Sequence, residues 1–254
     1  MRRLLSAAIV LGAFLSLSAP AFALEAGLRG EYWFPKISGN AQTTTSGLPN
    51  TPFDLKSTLG VQDENTVFGE AYLRVGRFTF RGGYTPLKYD GQSTLTATLV
   101  FNGQTFAVND TVVSQVELKM IDGQVQFDLL RPDAGVVGFN LGLILQGKYV
   151  DGSIEVGSST VPATRQDFTL AAPMVGVAAG VGFLKDFVRV DARAAGIAYS
   201  GSHCYEADGY LSVIPFPFVR LQGGYRYIDL KVDESDVQAA LKLQGPYVGL
   251  QLSF

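Results

Sequence analysis

Side chains that could do covalent chemistry are few in this 254-residue chain. The single histidine, His203, stands between Ser202 and Cys204, with Glu206 and Asp208 close by. A hydroxyl or thiol beside an imidazole is the material of nucleophilic hydrolysis. Groups adjacent on one short loop rarely face each other, however, and a general base must come within hydrogen-bond reach of its proton. Two further combinations could activate water, Asp208 with His203 and Asp90 with Asp110, but neither spacing makes a motif. One histidine and one cysteine are too few ligands for a structural zinc site. No catalytic residue, metal or cofactor is therefore expected, and lone Cys204 cannot close an internal disulfide. The acidic residues Asp151, Glu155, Asp233, Glu234 and Asp236 fall in loops, where they could meet divalent cations or simply be solvated.

A second set of polar residues recurs at alternate positions. Arg29 and Glu31 alternate with Leu28, Gly30 and Tyr32; Glu70, Tyr72 and Arg74 alternate with Gly69, Ala71, Leu73 and Val75. Alternation with period two is the signature of strands with one oily and one polar face. It returns in Phe78–Tyr84, in the long segment 111–130, in 137–148, and as small residues (Gly176, Ala178, Gly180, Gly182) opposite Val175, Val177 and Val181. It continues with Arg189, Asp191 and Arg193 opposite Val188, Val190 and Ala192, and with Arg220, Gln222 and Arg226 opposite Val219, Leu221 and Tyr225. In 111–130 the apolar parity reverses after Asp122-Gly123, which predicts a β-bulge there. Twenty residues at about 3.3 Å each, tilted roughly 45°, climb about 47 Å.

Connections between these segments differ at the two ends. Residues 35–65, 91–110, 152–165, 200–206 and 233–236 read as longer or polar loops, whereas 76–77, 131–135, 184–186 and 215–217 read as tight turns. Asn102-Gly103 is a strong hairpin signal, placing a protruding hairpin near 93–108. The count is ten strands, or eight if two weak ones merge and twelve if that hairpin joins the wall.

Composition agrees with a sheet spread over the whole chain. Only 17% of residues are charged, with 29 glycines, and no apolar run beyond residue 23 is long enough for a spanning helix. Residues 1–23 have the basic start (Arg2, Arg3), apolar core and Ala21-Phe22-Ala23 junction of a cleaved secretory signal. Without those two arginines the chain carries 18 basic and 23 acidic residues, and the net charge of −5 argues against a nucleic-acid partner.

The last residues, QGPYVGLQLSF, end the chain on an aromatic strand. Tyr247, Gly249, Leu252 and Phe254 resemble the C-terminal signal by which bacterial outer-membrane β-barrel proteins are handed to their assembly machinery. By pattern, the resemblance extends over residues 24–254. It implies an all-β, antiparallel up-and-down transmembrane barrel in the outer membrane, without fixing a subfamily. Implied partners are outer-membrane lipid, lipopolysaccharide and the assembly machinery, with a monomeric state. Phe183, Phe187, Phe216, Phe218 and Phe254 fall near the tight turns and Tyr32, Trp33, Tyr84, Tyr149, Tyr199, Tyr210, Tyr225 and Tyr227 toward the loops, as two interfacial girdles require. A soluble β-sandwich would also alternate, but needs no such asymmetry.

In a barrel the polar faces point to the lumen. The candidate lumen lining is Arg29, Glu31, Glu70, Arg74, Arg81, Glu117, Lys119, Arg189, Asp191, Arg193, Arg220 and Arg226, with Arg77, Asp128, Lys148 and Lys242 on the same faces. Opposite charges in a narrow interior should pair, while the excess of eleven basic over five acidic residues would select anions if water passes. The expected function is non-enzymatic, as a narrow pore or as an envelope or surface-interaction protein. The alternative is an outer-membrane hydrolase of lipid or peptide at the extracellular mouth.

Overall fold

The computed structural model describes residues 24–45, 48–132, 136–233 and 237–254. The expected signal peptide, and Glu234 and Asp236, lie outside the described residues. In chain order the strands are β1 (Leu24–Trp33), β2 (Lys36–Thr45), β3 (Leu48–Pro49), β4 (Phe53–Asp54), β5 (Thr66–Val75), β6 (Phe78–Thr94), β7 (Leu99–Phe101), β8 (Gln104–Phe106), β9 (Thr111–Leu130) and β10 (Val137–Ser158). They continue as β11 (Thr164–Phe183), β12 (Val188–Tyr199), β13 (Ser202–Phe216), β14 (Val219–Asp233) and β15 (Val237–Ser253). All wall pairings are antiparallel.

The sheet closes where β1 meets β15, from Gly27 opposite Ser253 to Trp33 opposite Tyr247. Beyond a break at Phe34-Pro35 the same wall strand resumes as β2, from Lys36 opposite Gln244 to Thr43 opposite Val237. Proline has no N–H for the ladder, and Phe34 bridges the gap by donating its own N–H to Pro246 O at 3.0 Å. With β1 and β2 taken as one, ten strands make a closed wall, and a two-sheet sandwich is excluded. Through the tight-turn half, up to Gly69 opposite Tyr84 and Val175 opposite Gly196, every strand is paired on both sides, which is the condition for carrying a backbone through lipid; above those levels β6 and β11 keep ladders only with β9 and β10.

The wall faces two different solvents. In its tight-turn half, outward side chains are apolar and exposed: Leu28, Val67, Phe80, Leu143, Leu145, Val175, Val177, Val190, Leu211, Leu221, Val248 and Leu250. Such a band cannot face water. Its upper border carries exposed Tyr32, Tyr84, Tyr149, Tyr205 and Tyr225, and its lower border carries Phe78, Phe183, Phe187, Phe216, Phe218 and Phe254. Above the tyrosines the outward residues turn polar (Lys36, Lys88, Asp151, Lys231) while the inward ones turn apolar (Ile37, Leu87, Val150, Leu230).

That inversion corrects the expected bulge in β9. The ladder runs unbroken through Asp122, opposite Gly83 and Lys148, and Gly123, opposite Gly82 and Gly147. Backbone parity never changes: Val112, Val116, Leu118 and Met120 point inward, and so do Asp122, Gln124, Gln126 and Asp128. The hydrophobic pattern reverses because the surroundings do, from lipid outside to water outside. The one irregularity of β9 against β10 lies at the tight-turn end, where Asp128 and Leu130 face neighbouring Gly142 and Leu141.

Three segments expected as loops are largely strand. Residues 36–45, 152–158 and 202–206 extend the wall into the upper half, where an outward face in water takes Ser, Thr, Asn and charged residues that resemble loop composition.

The upper half forms a filled head. Trp33, Ile37, Leu118, Met120, Val156, Met174 and Leu243 are buried inside it with Ile228 and Leu230. Its mouth is closed by chain. β4 and the segment after it turn inward and bury Phe53, Leu55, Leu59 and Val61. Ser114 Oγ donates to Leu59 O at 3.0 Å, and Val61 pairs with Gly91. A side chain on Gly91 would collide with Ser114 and Leu59, so only glycine admits the segment this close. Asp63 pins the far end, accepting from Ile37 N at 2.9 Å and pairing with Lys56. Partial burial acts to raise the Asp63 pKa, but Lys56 and the Ile37 N–H outweigh it and hold it below the ordinary value.

The β7–β8 hairpin turns at Asn102 (φ 47°) and Gly103 (φ 75°), the pair of positive φ values that a type I′ turn requires. It lies across the mouth instead of protruding. Leu99, Phe101 and Phe106 are buried, Phe101 meets Phe53 edge to face at 5.6 Å, and Asn102 Nδ2 donates to Thr164 Oγ1 and Arg165 O.

Candidate functional site

The charged centre of the lumen is assembled from seven of the ten walls. From β1 come Arg29 and Glu31, from β5 Glu70, from β9 Asp122, from β10 Lys148, from β12 Arg193, from β13 Glu206 and Asp208, and from β14 Arg226. Lys148 Nζ sits 2.5 Å from Asp122 and 3.1 Å from Glu206, and Glu206 takes Arg226 Nε at 3.2 Å. Arg226 continues to Glu31 at 3.9 Å, Glu31 pairs with Arg29, and Arg29 reaches Asp208 at 3.5 Å. Asp208 pairs with Arg193 at 2.7 Å, and Arg193 with Glu70 at 3.2 Å. Tyr247 stitches the middle: it accepts from Arg29 and donates to Asp208, both at 2.7 Å. The chain of ion pairs crosses the barrel from wall to wall.

The upper edge of this layer is aromatic. The Arg226 guanidinium lies 4.0 Å from the ring centre of Phe68 and 5.8 Å from that of Trp33. Cations bind ring faces well where water is excluded, so Arg226 joins the charged layer to the apolar head. Ion pairs below and packed side chains above close the lumen in succession.

Below the layer lies a cavity of about 210 Å³, reaching turn residues Arg131, Pro132 and Asp186 at the tight-turn end. The small-residue lane of β11 does not open a channel beside it. The side chains of Arg189, Asp191 and Asn140 lie over Gly180, and Asp186 lies over Gly182, so that a Cβ at either position would collide with them. Arg189 is held by Asp191 at 2.8 Å and Asp186 at 3.2 Å and donates to Asn140.

Of the sequence-derived lining, Arg29, Glu31, Glu70, Arg74, Arg81, Arg189, Asp191, Arg193, Arg220 and Arg226 have the inward parity of their strands. Glu117 and Lys119 do not. They share the outward face of β9 with Val113 and Ile121, and Lys119 is exposed opposite Asp151. Their assignment assumed a bulge; without it they belong to the water-facing outside of the head. Lys242 is likewise on the outer side, 3.6 Å from Asp229.

Asp122, Glu206 and Asp208 are network members that the sequence reading left out. Counting the alternation of β13 backward from Ser212 through Tyr210 would have reached Asp208, Glu206 and Cys204 in turn. Tyr247, read as part of the assembly signal, also faces inward as a network member.

The expected loop around His203 is wall. His203 lies on the outside of β13, stacked on Tyr205 at 5.0 Å, with Nε2 3.3 Å from Asp229 Oδ1. Asp229 also accepts from Tyr227 at 2.7 Å, while Ser202 Oγ accepts from Asp233 N. Asp208 is on the opposite face of the same strand, inside. Asp90 accepts from Gln115 and Asp110 from Thr160, so the two are engaged separately. Among the described residues, no group of three or more His, Cys, Asp or Glu side chains gathers as metal ligands. Cys204 points into the head and is 1% exposed. A maleimide should therefore leave it unmodified in the folded barrel and label it fully in denaturant, as mass spectrometry would register; labelling of the folded protein would mean that the head opens.

No protein-family model and no curated protein sequence matches the chain. Solved structures do. The outer membrane protease OmpT from Escherichia coli aligns over 94% of this chain and 100% of its own, with a TM-score of 0.54 and 10% identity. The attachment invasion locus protein Ail of Yersinia pestis aligns over 91% and 99%, with a TM-score of 0.38 and 10% identity. Neisserial surface protein A aligns over 91% and 97%, with 0.36 and 13%. The match to the protease, with the closed antiparallel wall, makes the fold that of a bacterial outer-membrane β-barrel, and the apolar band with its two aromatic girdles is the surface that fold presents to lipid.

Proposed function

We propose that this protein is a non-enzymatic, non-conducting outer-membrane barrel that carries a rigid folded head at the cell surface, as an envelope or surface-interaction protein. The observation that carries the reading is the double closure of the lumen, by ion pairs spanning the wall and by an apolar core above them. An ion entering that core would lose its hydration without gaining ligands. In this class of barrel the short turns face the periplasm, so the head, its inserted segment and its hairpin face outward. Lipid and lipopolysaccharide around the girdles, and the assembly machinery reading Tyr247, Gly249, Leu252 and Phe254, are the partners this reading carries, with the barrel as a monomer.

A protease acting at the mouth draws no support from the site, although a protease shares the fold. The mouth holds Phe53, Leu55, Leu59 and Phe101, and the one imidazole lies outside the wall. Single-channel recording of the refolded protein in a planar bilayer tests the proposal. Silence is expected; steady steps, anion-selective and reduced by neutralising Arg189, Arg193 or Arg220, would replace the closed barrel with a pore.

A further inference from the structure

We infer that the cavity beneath the ion-pair layer is a blind binding site for a small oxyanion, bearing phosphate or carboxylate groups and entering from the periplasmic side. Seven arginines and five carboxylates line its volume of about 210 Å³. A cation excess within low-dielectric walls raises the local anion concentration, and arginine is the side chain best shaped to hold a phosphate or carboxylate in two-pronged fashion.

The excess falls on particular side chains. Arg220, on β14, makes a single side-chain hydrogen bond, to Ser212 Oγ at 3.0 Å, and no ion pair with any described residue. Arg131, at the rim, is exposed and likewise unpaired among the described residues. Arg29, at the roof, is 3% exposed, yet its Nε has no acceptor. That atom is itself shut off from the cavity, so the donors open to an anion are those of Arg220 and Arg131. The other four arginines of the cavity are committed: Arg74 to Glu25 at 3.2 Å, Arg81 to Glu70 at 3.9 Å and Gln126 at 2.9 Å, Arg189 to Asp191 and Asp186, and Arg193 to Glu70 and Asp208. Neutral amides complete the wall and are spent on one another, Gln222 donating to Gln251 and Gln251 to Tyr72. The ion-pair layer above makes the cavity a dead end, so a bound anion leaves by the way it came.

Calorimetric titration of the detergent-folded barrel with inorganic phosphate, and separately with citrate, at fixed ionic strength tests this inference. One saturable site per barrel is expected for at least one probe. Arg220→Gln should weaken it by about 10-fold or more, the worth of one charge-assisted hydrogen bond. Lys119→Gln, a charge removed from the outer face, should leave it unchanged. Arg220 has so little structural attachment that its variant should fold, as the migration shift of unheated barrel on a gel will report; if it does not, Arg131→Gln carries the same expectation. Absence of saturable heat with either probe, or equal affinity in the arginine variant and wild type, overturns the site. The dead end rests on the closed-lumen reading, which channel recordings decide, whereas saturable binding decides the site itself, so the two fail separately.

Discussion

Asp208→Ala is expected to destabilise the barrel by about 3–5 kcal/mol, the usual cost of removing one partner from a buried ion pair. Asp208 is 5% exposed and serves three groups: Arg29, Arg193 and the hydroxyl of Tyr247. Without it, two guanidinium groups lose a buried carboxylate partner at the centre of the lumen. The measurement is equilibrium urea unfolding of lipid-refolded protein. It can be followed by the emission of Trp33, the sole tryptophan, which is fully buried directly above the network. Asp208→Asn keeps the acceptor and loses the charge, and should fall between wild type and the alanine variant. Removing Arg193 as well should restore part of the loss, with a coupling of roughly 0.5–3 kcal/mol as expected for residues in one network. If the alanine variant unfolds within about 0.5 kcal/mol of wild type, the level of an ordinary surface substitution, the ion-pair layer is hydrated and does not close the lumen.

Leu118→Arg should prevent the head from closing while leaving the lipid-embedded half folded. Leu118 is fully buried in the head, and a charge there has no partner and no route to water, an arrangement costing several kcal/mol. Leu118→Ala should cost about 2–5 kcal/mol, as core truncations do. Lys119→Leu, one residue along on the outer face, should stay within about 0.5 kcal/mol. The same chemistry reverses below the tyrosine girdle, where Val125→Lys on the lipid face should cost about 2–4 kcal/mol near the bilayer midplane. Limited trypsin digestion separates the outcomes. The arginine variant should be cut within the head and retain a heat-modifiable base, whereas the Lys119 variant should remain whole. A trypsin-resistant Leu118→Arg head would mean that the upper interior holds water, and would reopen the question of passage.

Much of this molecule is legible along its chain because strand parity is a local property. Side chains at i and i+2 share a face whatever the strand pairs with, so Arg29 with Glu31, Arg189 with Arg193 and Arg220 with Arg226 could be assigned together. Loop and turn lengths gave the number of wall strands, and the terminal Tyr247–Phe254 pattern pointed to the outer membrane. What alternation cannot report is which medium lies on each side of the sheet. In β9 the apolar face changes sides at Asp122-Gly123 while the backbone keeps its register, so a change of solvent imitates a bulge. Glu117 and Lys119 were misassigned for that reason. Polar composition likewise hides the upper halves of β2, β10 and β13 among the loops, and with them Glu206, whereas Asp208 falls inside the expected strand just beyond the loop, where its inward parity goes uncounted. Only tertiary closure decided that ten strands bring Arg29, Arg193, Asp208 and Tyr247 within hydrogen-bonding range across separations of up to 218 residues, and that Leu59 and Phe101 seal the mouth. Those contacts depend on the curvature of the whole wall and the way its loops fold back, which no local period encodes.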